Sequence, residues 1–198
     1  MARSVKPRGK KAATWNPANL LTMLRIVLVP VFATLMLYHQ SAWALGIYAV
    51  AALTDLADGW LARRFGWVTA LGTFIDPMAD KLLQLTAATL LAAQGKAAIW
   101  VAVLLWARET VVVMGFTVLA MLAVSREVRS SGWGKAGTLA QMFALAGSLS
   151  VPVLGLGPAW ATGASVFLGA ATVVNFLAGM EYAWKGFQVY ERERPRSG

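Results

Sequence analysis

The chain has 198 residues, of which 58% are apolar and only 14% are charged, and this composition excludes an ordinary soluble domain. It contains no cysteine, so a disulfide framework and thiol chemistry are excluded as well. The net charge of +9 comes from basic residues in a terminal tail and in alternate loops, which is typical of membrane topology signals, so no nucleic-acid partner is expected.

Six apolar stretches follow a basic tail of residues 1–14. Their approximate limits are 18–38, 42–62, 70–93, 97–124, 135–156 and 159–188. Each is long enough to cross a hydrocarbon core of about 30 Å as a helix. The sequence therefore predicts an all-α polytopic membrane protein, with six transmembrane helices in one domain over residues 15–190 and a C-terminal tail over residues 191–198.

The loop charges predict the orientation of these spans. Basic residues occupy the N-terminal tail, the second and fourth connections and the C-terminal tail, whereas the first, third and fifth connections are nearly bare. Positive charge marks the cytoplasmic side. We therefore expect both termini in the cytoplasm, localisation in the cytoplasmic (inner) membrane, and a site that faces the cytoplasm at the ends of spans two and three.

All four aspartates of the chain fall in one apolar window of 26 residues: Asp55, Asp58, Asp76 and Asp80. Carboxylates at membrane depth are expensive and usually functional. Spacings of three and four residues put each pair on one helix face. Two such faces turned toward each other would form a carboxylate cage for hard divalent cations, Mg²⁺ or Mn²⁺. A cation pathway in an ion-coupled transporter is the alternative from a different class.

The window also fits a longer pattern, D-x2-D-G-x2-A-R-x8-G-x3-D-x3-D, from Asp55 to Asp80. All eight fixed positions resemble the signature of the CDP-alcohol phosphatidyltransferases. Three further segments, Pro17–Arg25, Arg108-Glu109 and Gly134–Gln141, are similar to the branch of that family that makes phosphatidylglycerophosphate.

The resemblance implies a reaction. The phosphatidyl group of CDP-diacylglycerol would pass to glycerol 3-phosphate, giving phosphatidylglycerophosphate and CMP. The same chemistry with phosphatidylglycerol as acceptor, which makes cardiolipin, or with another alcohol is the alternative. Two ions of Mg²⁺ or Mn²⁺ are expected, held by Asp55, Asp58, Asp76 and Asp80, and Asp80 would also accept the proton of the attacking hydroxyl.

The resemblance and the residue chemistry together predict the substrate contacts. The predicted CDP-diacylglycerol contacts are Asn19, Thr22, Asp55, Gly59, Ala62 and Arg63. The predicted acceptor-phosphate contacts are Arg25, Arg108 and Lys135. Structural roles remain open for several of these residues: helix capping by Asn19 and Thr22, helix packing at Gly59, a topology signal at Arg63, and an ion pair of Arg108 with Glu109 or a site aspartate.

Two positions give weaker indications. Gly137 stands where the branch often has a second lysine, so we expect Gly137→Lys to strengthen acceptor binding. Ala161, Ser165 and Gly169 form a stripe of small residues at four-residue spacing. The stripe is suited either to a homodimer face or to packing within the chain.

Overall fold

The computed structural model describes residues 17–65, 70–121 and 132–193. Within these ranges the chain forms six α-helices and no strand. The helices are α1 Pro17–Leu37, α2 Ser41–Phe65, α3 Ala70–Ala93, α4 Ile99–Met121, α5 Gly132–Val153 and α6 Pro158–Glu193. The predicted all-α class and helix number are therefore confirmed, while the tail 1–14 and most of the tail 191–198 lie outside the described residues.

Two helices are long and apolar enough to cross a membrane, by length and composition. They are α5 and the Pro158–Val189 part of α6, with mean hydropathies of 1.3 and 1.6. Large apolar side chains also cover the outside of the bundle: Leu53, Val103 and Leu177 are each about 60% exposed or more. An apolar exterior of this kind marks a surface that meets lipid or another apolar partner. This is a membrane protein, and the number of its spans stays a prediction.

Three tight turns join the helices in pairs, α1 with α2, α3 with α4 and α5 with α6. In each turn one residue adopts a left-handed backbone conformation, with φ of 57° at His39, 69° at Gly95 and 61° at Gly155. The following amide then donates to a carbonyl five residues back. These hydrogen bonds are Gln40 N to Leu35 O at 2.8 Å, Lys96 N to Leu91 O at 2.9 Å and Leu156 N to Val151 O at 3.1 Å.

Side chains tie the second turn to helices of the other two pairs. Gln94, in the second turn, donates from Nε2 to the carbonyl oxygen of Met36 at the end of α1, at 2.6 Å. Ser165 on α6 donates to the carbonyl oxygen of Lys96 at 3.1 Å. The three helix pairs are therefore connected at the end of the bundle where α1, α3 and α5 end.

The core lies around α3, which contacts α1, α2, α4 and α5. Leu83, Ala87, Ala88 and Leu91 of α3 are all buried. Buried residues from the other helices complete the core: Phe32, Met36, Ala44, Tyr48, Ala51, Val101, Leu105, Leu145, Leu149 and Leu168. Small residues on α3 allow its neighbours to approach closely, as in other membrane helix pairs. This packing fixes the position of the helix that carries Asp76 and Asp80.

Two residues of the small-residue stripe pack within the chain. Ser165 bonds to the Lys96 carbonyl, and a Cβ added at Gly169 would lie 3.0 Å from the ring of Trp100 on α4. The structure thus favours packing within the chain for this part of the stripe. Homodimer formation stays a prediction.

Candidate active site

Two contacting helices carry the four aspartates. Asp55 and Asp58 lie on α2, and Asp76 and Asp80 lie on α3. Both pairs lie toward the helix ends that residues 66–69 join, and α2 and α3 contact each other. Because both segments are helical, the positions within each pair share a helix face. The local structure on which the predicted carboxylate site depends is therefore present.

The side chains of residues 17–22 and 55–80 lie outside the part that the structure describes. The predicted nucleotide contacts Asn19, Thr22, Gly59, Ala62 and Arg63 fall in these ranges, and their roles stay predictions. Among the side chains that are described, no group of three or more could hold a metal ion. The aspartates are outside that set, and their carboxylate oxygens are the donors that Mg²⁺ and Mn²⁺ prefer.

A cavity of about 390 Å³ lies between α4, α5 and α6. Arg108 enters it from α4 and Lys135 from α5, so two of the three predicted acceptor-phosphate residues meet in one space. Thr138 and Tyr182 add two hydroxyl groups. The remaining lining residues are Val112, Gly134, Leu139 and Ala178. Two cations beside hydroxyl groups and an apolar wall suit a small anionic ligand that carries hydroxyls.

Arg25, the third predicted acceptor residue, lies elsewhere. It is buried in α1, with 1% of its surface exposed, and it is not among the residues that line the cavity. Its helix packs against α2 and α3, which carry the aspartates. Its position is therefore closer in the fold to the aspartate helices than to the Arg108 and Lys135 cavity.

Glu109 forms ion pairs with two cations. One carboxylate oxygen pairs with Nη1 of Arg108, and the other lies 2.5 Å from Nζ of Lys81 on α3. The sequence had left the pairing of Arg108 with Glu109 open, and the structure contains it. Arg108, Lys135 and Lys81 with one Glu109 carry a net charge of +2, so the pairing leaves this region cationic.

Gly137 does not face the cavity. It is buried, and a Cβ added there would lie 3.3 Å from Cα and 3.6 Å from N of Asn175 on α6. A lysine side chain would have to separate α5 from α6 before it could reach a ligand. The structure therefore argues against the expectation that Gly137→Lys strengthens acceptor binding, because position 137 meets the α6 backbone.

The chain matches the family model described as CDP-alcohol phosphatidyltransferase over residues 15–177. That match includes the aspartate helices, the cavity residues of α4 and α5, and most of the length of the fold. The chain belongs to the CDP-alcohol phosphatidyltransferase family. It is thus an enzyme of that class, and the family resemblance of the aspartate pattern is confirmed.

Among curated proteins, similar family members have names that describe one reaction. A protein of Mycobacterium tuberculosis named "Probable phosphatidylglycerophosphate synthase" is 38% identical over 180 residues, which cover 87% of this chain and 82% of the relative. A protein of Escherichia coli named "CDP-diacylglycerol--glycerol-3-phosphate 3-phosphatidyltransferase" is 39% identical over 139 residues, or 67% of this chain and 75% of the relative. A Pseudomonas fluorescens protein with that name is 39% identical over 145 residues, or 69% and 73% of the two chains.

Sequence reasoning missed two residues at the cavity of this CDP-alcohol phosphatidyltransferase. Tyr182 lines the cavity, and Gly179 contacts the stem of Arg108. Tyr182 follows Glu181 near the end of a long apolar helix, where an aromatic residue is normally assigned to interfacial anchoring. No local pattern marks Tyr182 or Gly179 as a cavity residue, because an apolar helix has no polar face to show which side meets its neighbours.

Proposed function

We propose that this protein transfers the phosphatidyl group from CDP-diacylglycerol to glycerol 3-phosphate, releasing CMP. Family membership and the names of the relatives support the reaction class. The observation that carries the choice of acceptor is the meeting of Arg108 and Lys135 in one cavity. A phosphate on the acceptor would offset the positive charge that remains beside the Arg108–Glu109 pair, whereas an uncharged alcohol would not.

The dimensions and lining of the cavity support a small acceptor. Its volume of about 390 Å³ falls in the usual range of small-molecule sites, about 300–1,000 Å³. Arginine offers a bidentate grip on phosphate, and lysine adds a point charge. Thr138 and Tyr182 offer hydroxyl groups to the glycerol hydroxyls.

The chemical step is a displacement at phosphorus. The acceptor hydroxyl oxygen forms a bond to the phosphorus that carries diacylglycerol, the bond from that phosphorus to the CMP oxygen breaks, and CMP leaves with the electron pair. Asp80 accepts the proton that the hydroxyl loses. Lys81 of α3 pairs with Glu109 beside Arg108, so the helix that carries Asp80 is linked to α4 next to the acceptor cavity.

Asp55, Asp58, Asp76 and Asp80 would hold two divalent ions. Mg²⁺ or Mn²⁺ bound there would offset the charge of the diphosphate and polarise its phosphoryl oxygens. Arg63 would grip a phosphate of the nucleotide, and Asn19, Thr22, Gly59 and Ala62 would line the cytidine and diphosphate site. The helical placement of the aspartates on two contacting helices supports this arrangement.

We further infer that all six helices span the cytoplasmic membrane, with the active site on the cytoplasmic side. The shortest helix, α1, has 21 residues, which corresponds to about 32 Å and matches the hydrocarbon thickness. The end of the bundle with the three tight turns has few basic residues, and the opposite connections have most of them. That asymmetry supports the cytoplasmic orientation of the aspartates.

An acceptor panel with the purified protein tests the proposal. Glycerol 3-phosphate, phosphatidylglycerol, inositol phosphate and serine are each supplied with CDP-diacylglycerol, and CMP release and product lipid mass are measured. We expect turnover with glycerol 3-phosphate. Turnover with phosphatidylglycerol alone would move the assignment to cardiolipin synthesis. Absence of CMP release with every acceptor of the panel would refute the proposed transfer reaction.

Lys135→Ala tests the cavity directly. Loss of a charge-assisted contact should raise the KM for glycerol 3-phosphate by roughly 10- to 100-fold, with the KM for CDP-diacylglycerol unchanged. Lys185→Ala is the matched control, because Lys185 lies on the exposed side of α6 and pairs with Glu181 at 2.5 Å. Equal effects of the two substitutions would contradict the role of the cavity.

A further inference from the structure

Arg108 is held in place by a carboxylate on its own helix. Glu109 pairs with its guanidinium, and both side chains are largely buried, with 15% of Arg108 and 13% of Glu109 exposed. A buried carboxylate holds a cation firmly, since separating the pair would leave an uncompensated charge. The second carboxylate oxygen lies 2.5 Å from Nζ of Lys81 on α3, so Glu109 forms ion pairs with two cations and links two helices.

The backbone of α6 confines the same arginine from another side. A Cβ added at Gly179 would lie 2.6 Å from Cγ and 3.2 Å from Nε of Arg108. Cγ is near the base of the side chain, so the arginine could avoid a methyl group there only by changing the path of its whole stem. Gly179 thus provides the surface along which Arg108 passes toward the cavity.

These contacts restrict the orientation of the Arg108 side chain in the cavity. Ala178 and Tyr182, on either side of Gly179 along α6, line the cavity that Arg108 and Lys135 share. The Arg108 stem lies against α6, and its guanidinium is paired with Glu109. Fewer arrangements of the side chain remain available, so less ordering is needed when an anion binds.

We propose that Glu109 and Gly179 are positioning residues that direct the Arg108 guanidinium to the acceptor phosphate, and that Glu109 aligns this cation with α3 through Lys81. The proposal rests on the proposed function for the identity of the acceptor. Neither residue has to touch the substrate. Their effect is on acceptor affinity, because the fixed cation meets the acceptor phosphate in the ground state as well as in the transition state.

Steady-state kinetics of the purified full-length protein test the proposal. Glu109→Gln removes the charge that holds Arg108, and Gly179→Ala places a methyl group against its stem. Each should raise the KM for glycerol 3-phosphate about 10-fold or more, with kcat within about 3-fold of wild type and the KM for CDP-diacylglycerol unchanged.

The chain provides a matched control for each variant. Glu181→Gln removes a carboxylate from an ion pair on the exposed face of α6. Gly163→Ala adds a methyl group to α6 at a position where a Cβ would meet nothing within 4 Å. Both controls should keep wild-type constants. Equal effects of test and control variants, or equal increases of both KM values, would overturn the proposal.

A double-variant comparison separates positioning from loss of folding. In an Arg108→Ala background, Gly179→Ala should leave the KM for glycerol 3-phosphate unchanged, because the side chain that it displaces is already absent. An additive increase would show that Gly179 acts by another route and would refute its positioning role. If wild type does not use glycerol 3-phosphate, the proposed function fails. If wild type uses it while Glu109→Gln and Gly179→Ala match their controls, only the present inference fails.

Discussion

The close approach of α5 and α6 at Gly137 leads to a sharp prediction about stability. Gly137→Ala adds one methyl group at a point where it would lie 3.3 Å from Cα of Asn175. Gly147→Ala makes the same change on the same helix, at a position where a Cβ would meet nothing within 4 Å. Both changes gain the same helix propensity, about 1 kcal/mol, so their difference isolates the steric effect.

The expected size of that difference follows from the contact distance. Carbon atoms pack best at about 3.5–4.0 Å, so α6 would have to move by a few tenths of an ångström. Overpacking of this kind costs about 1–3 kcal/mol. For a chain of this length, 1 kcal/mol corresponds to about 2–4 °C in the unfolding midpoint. We therefore expect Gly137→Ala to unfold about 2–12 °C below Gly147→Ala.

Thermal unfolding of the two variants in the same detergent provides the measurement. The unfolding midpoint of Gly137→Lys should lie below that of Gly137→Ala, because its side chain is larger at the same contact. A Gly137→Ala protein that unfolds at or above the midpoint of Gly147→Ala would refute the close approach of α6. Stronger binding of glycerol 3-phosphate by Gly137→Lys would also contradict it.

Two further predictions concern the metal site and the orientation. Asp58→Asn and Asp76→Asn should each lower turnover at least about 100-fold. Chelator should abolish wild-type activity until Mg²⁺ or Mn²⁺ is restored, and full activity in excess chelator would contradict metal dependence. In a chain without native cysteine, Gly157→Cys should react with an impermeant thiol reagent from outside the cell, and Arg64→Cys should react only after permeabilisation; labelling of position 64 from outside would reverse the topology.

Helix number and the placement of the aspartates could be predicted because their signals are local. Apolar stretches of about 20 residues and the spacings from Asp55 to Asp80 depend only on neighbouring positions. The meeting of Arg108 and Lys135 was also predicted, from the need of an intramembrane arginine for an anionic partner and from the family resemblance of the segment that carries Lys135, whereas Arg25, predicted to join them, lies elsewhere. A chemical requirement of this kind can be inferred from the residue types alone.

The rotation of each helix about its axis could not be predicted in the same way. A helix that is apolar on all sides has no polar face to mark the direction of the core. Positions 135 and 137 are two residues apart on α5, yet Lys135 lines the cavity and Gly137 meets Asn175. The contact of Gly179 with Arg108 likewise depends on the register between α4 and α6, which no local pattern specifies.

The hydrogen bonds that join the helix pairs at the turn end have a mechanical consequence for the opposite end of the bundle. The Gln94 and Ser165 hydrogen bonds oppose separation of the helix pairs at the turn end. α3 has 24 residues and is about 36 Å long, so a rotation of 5° about its turn end would displace its start by about 3 Å. Spin-label distances at the two ends would measure this difference in amplitude. If the turn end acts as a pivot, the change in width grows along α3 toward Ala70, and Asp76, about 26 Å from that end, would move by about 2 Å for the same rotation. Under the proposed function, this is the part of the bundle that the diphosphate of CDP-diacylglycerol would have to reach.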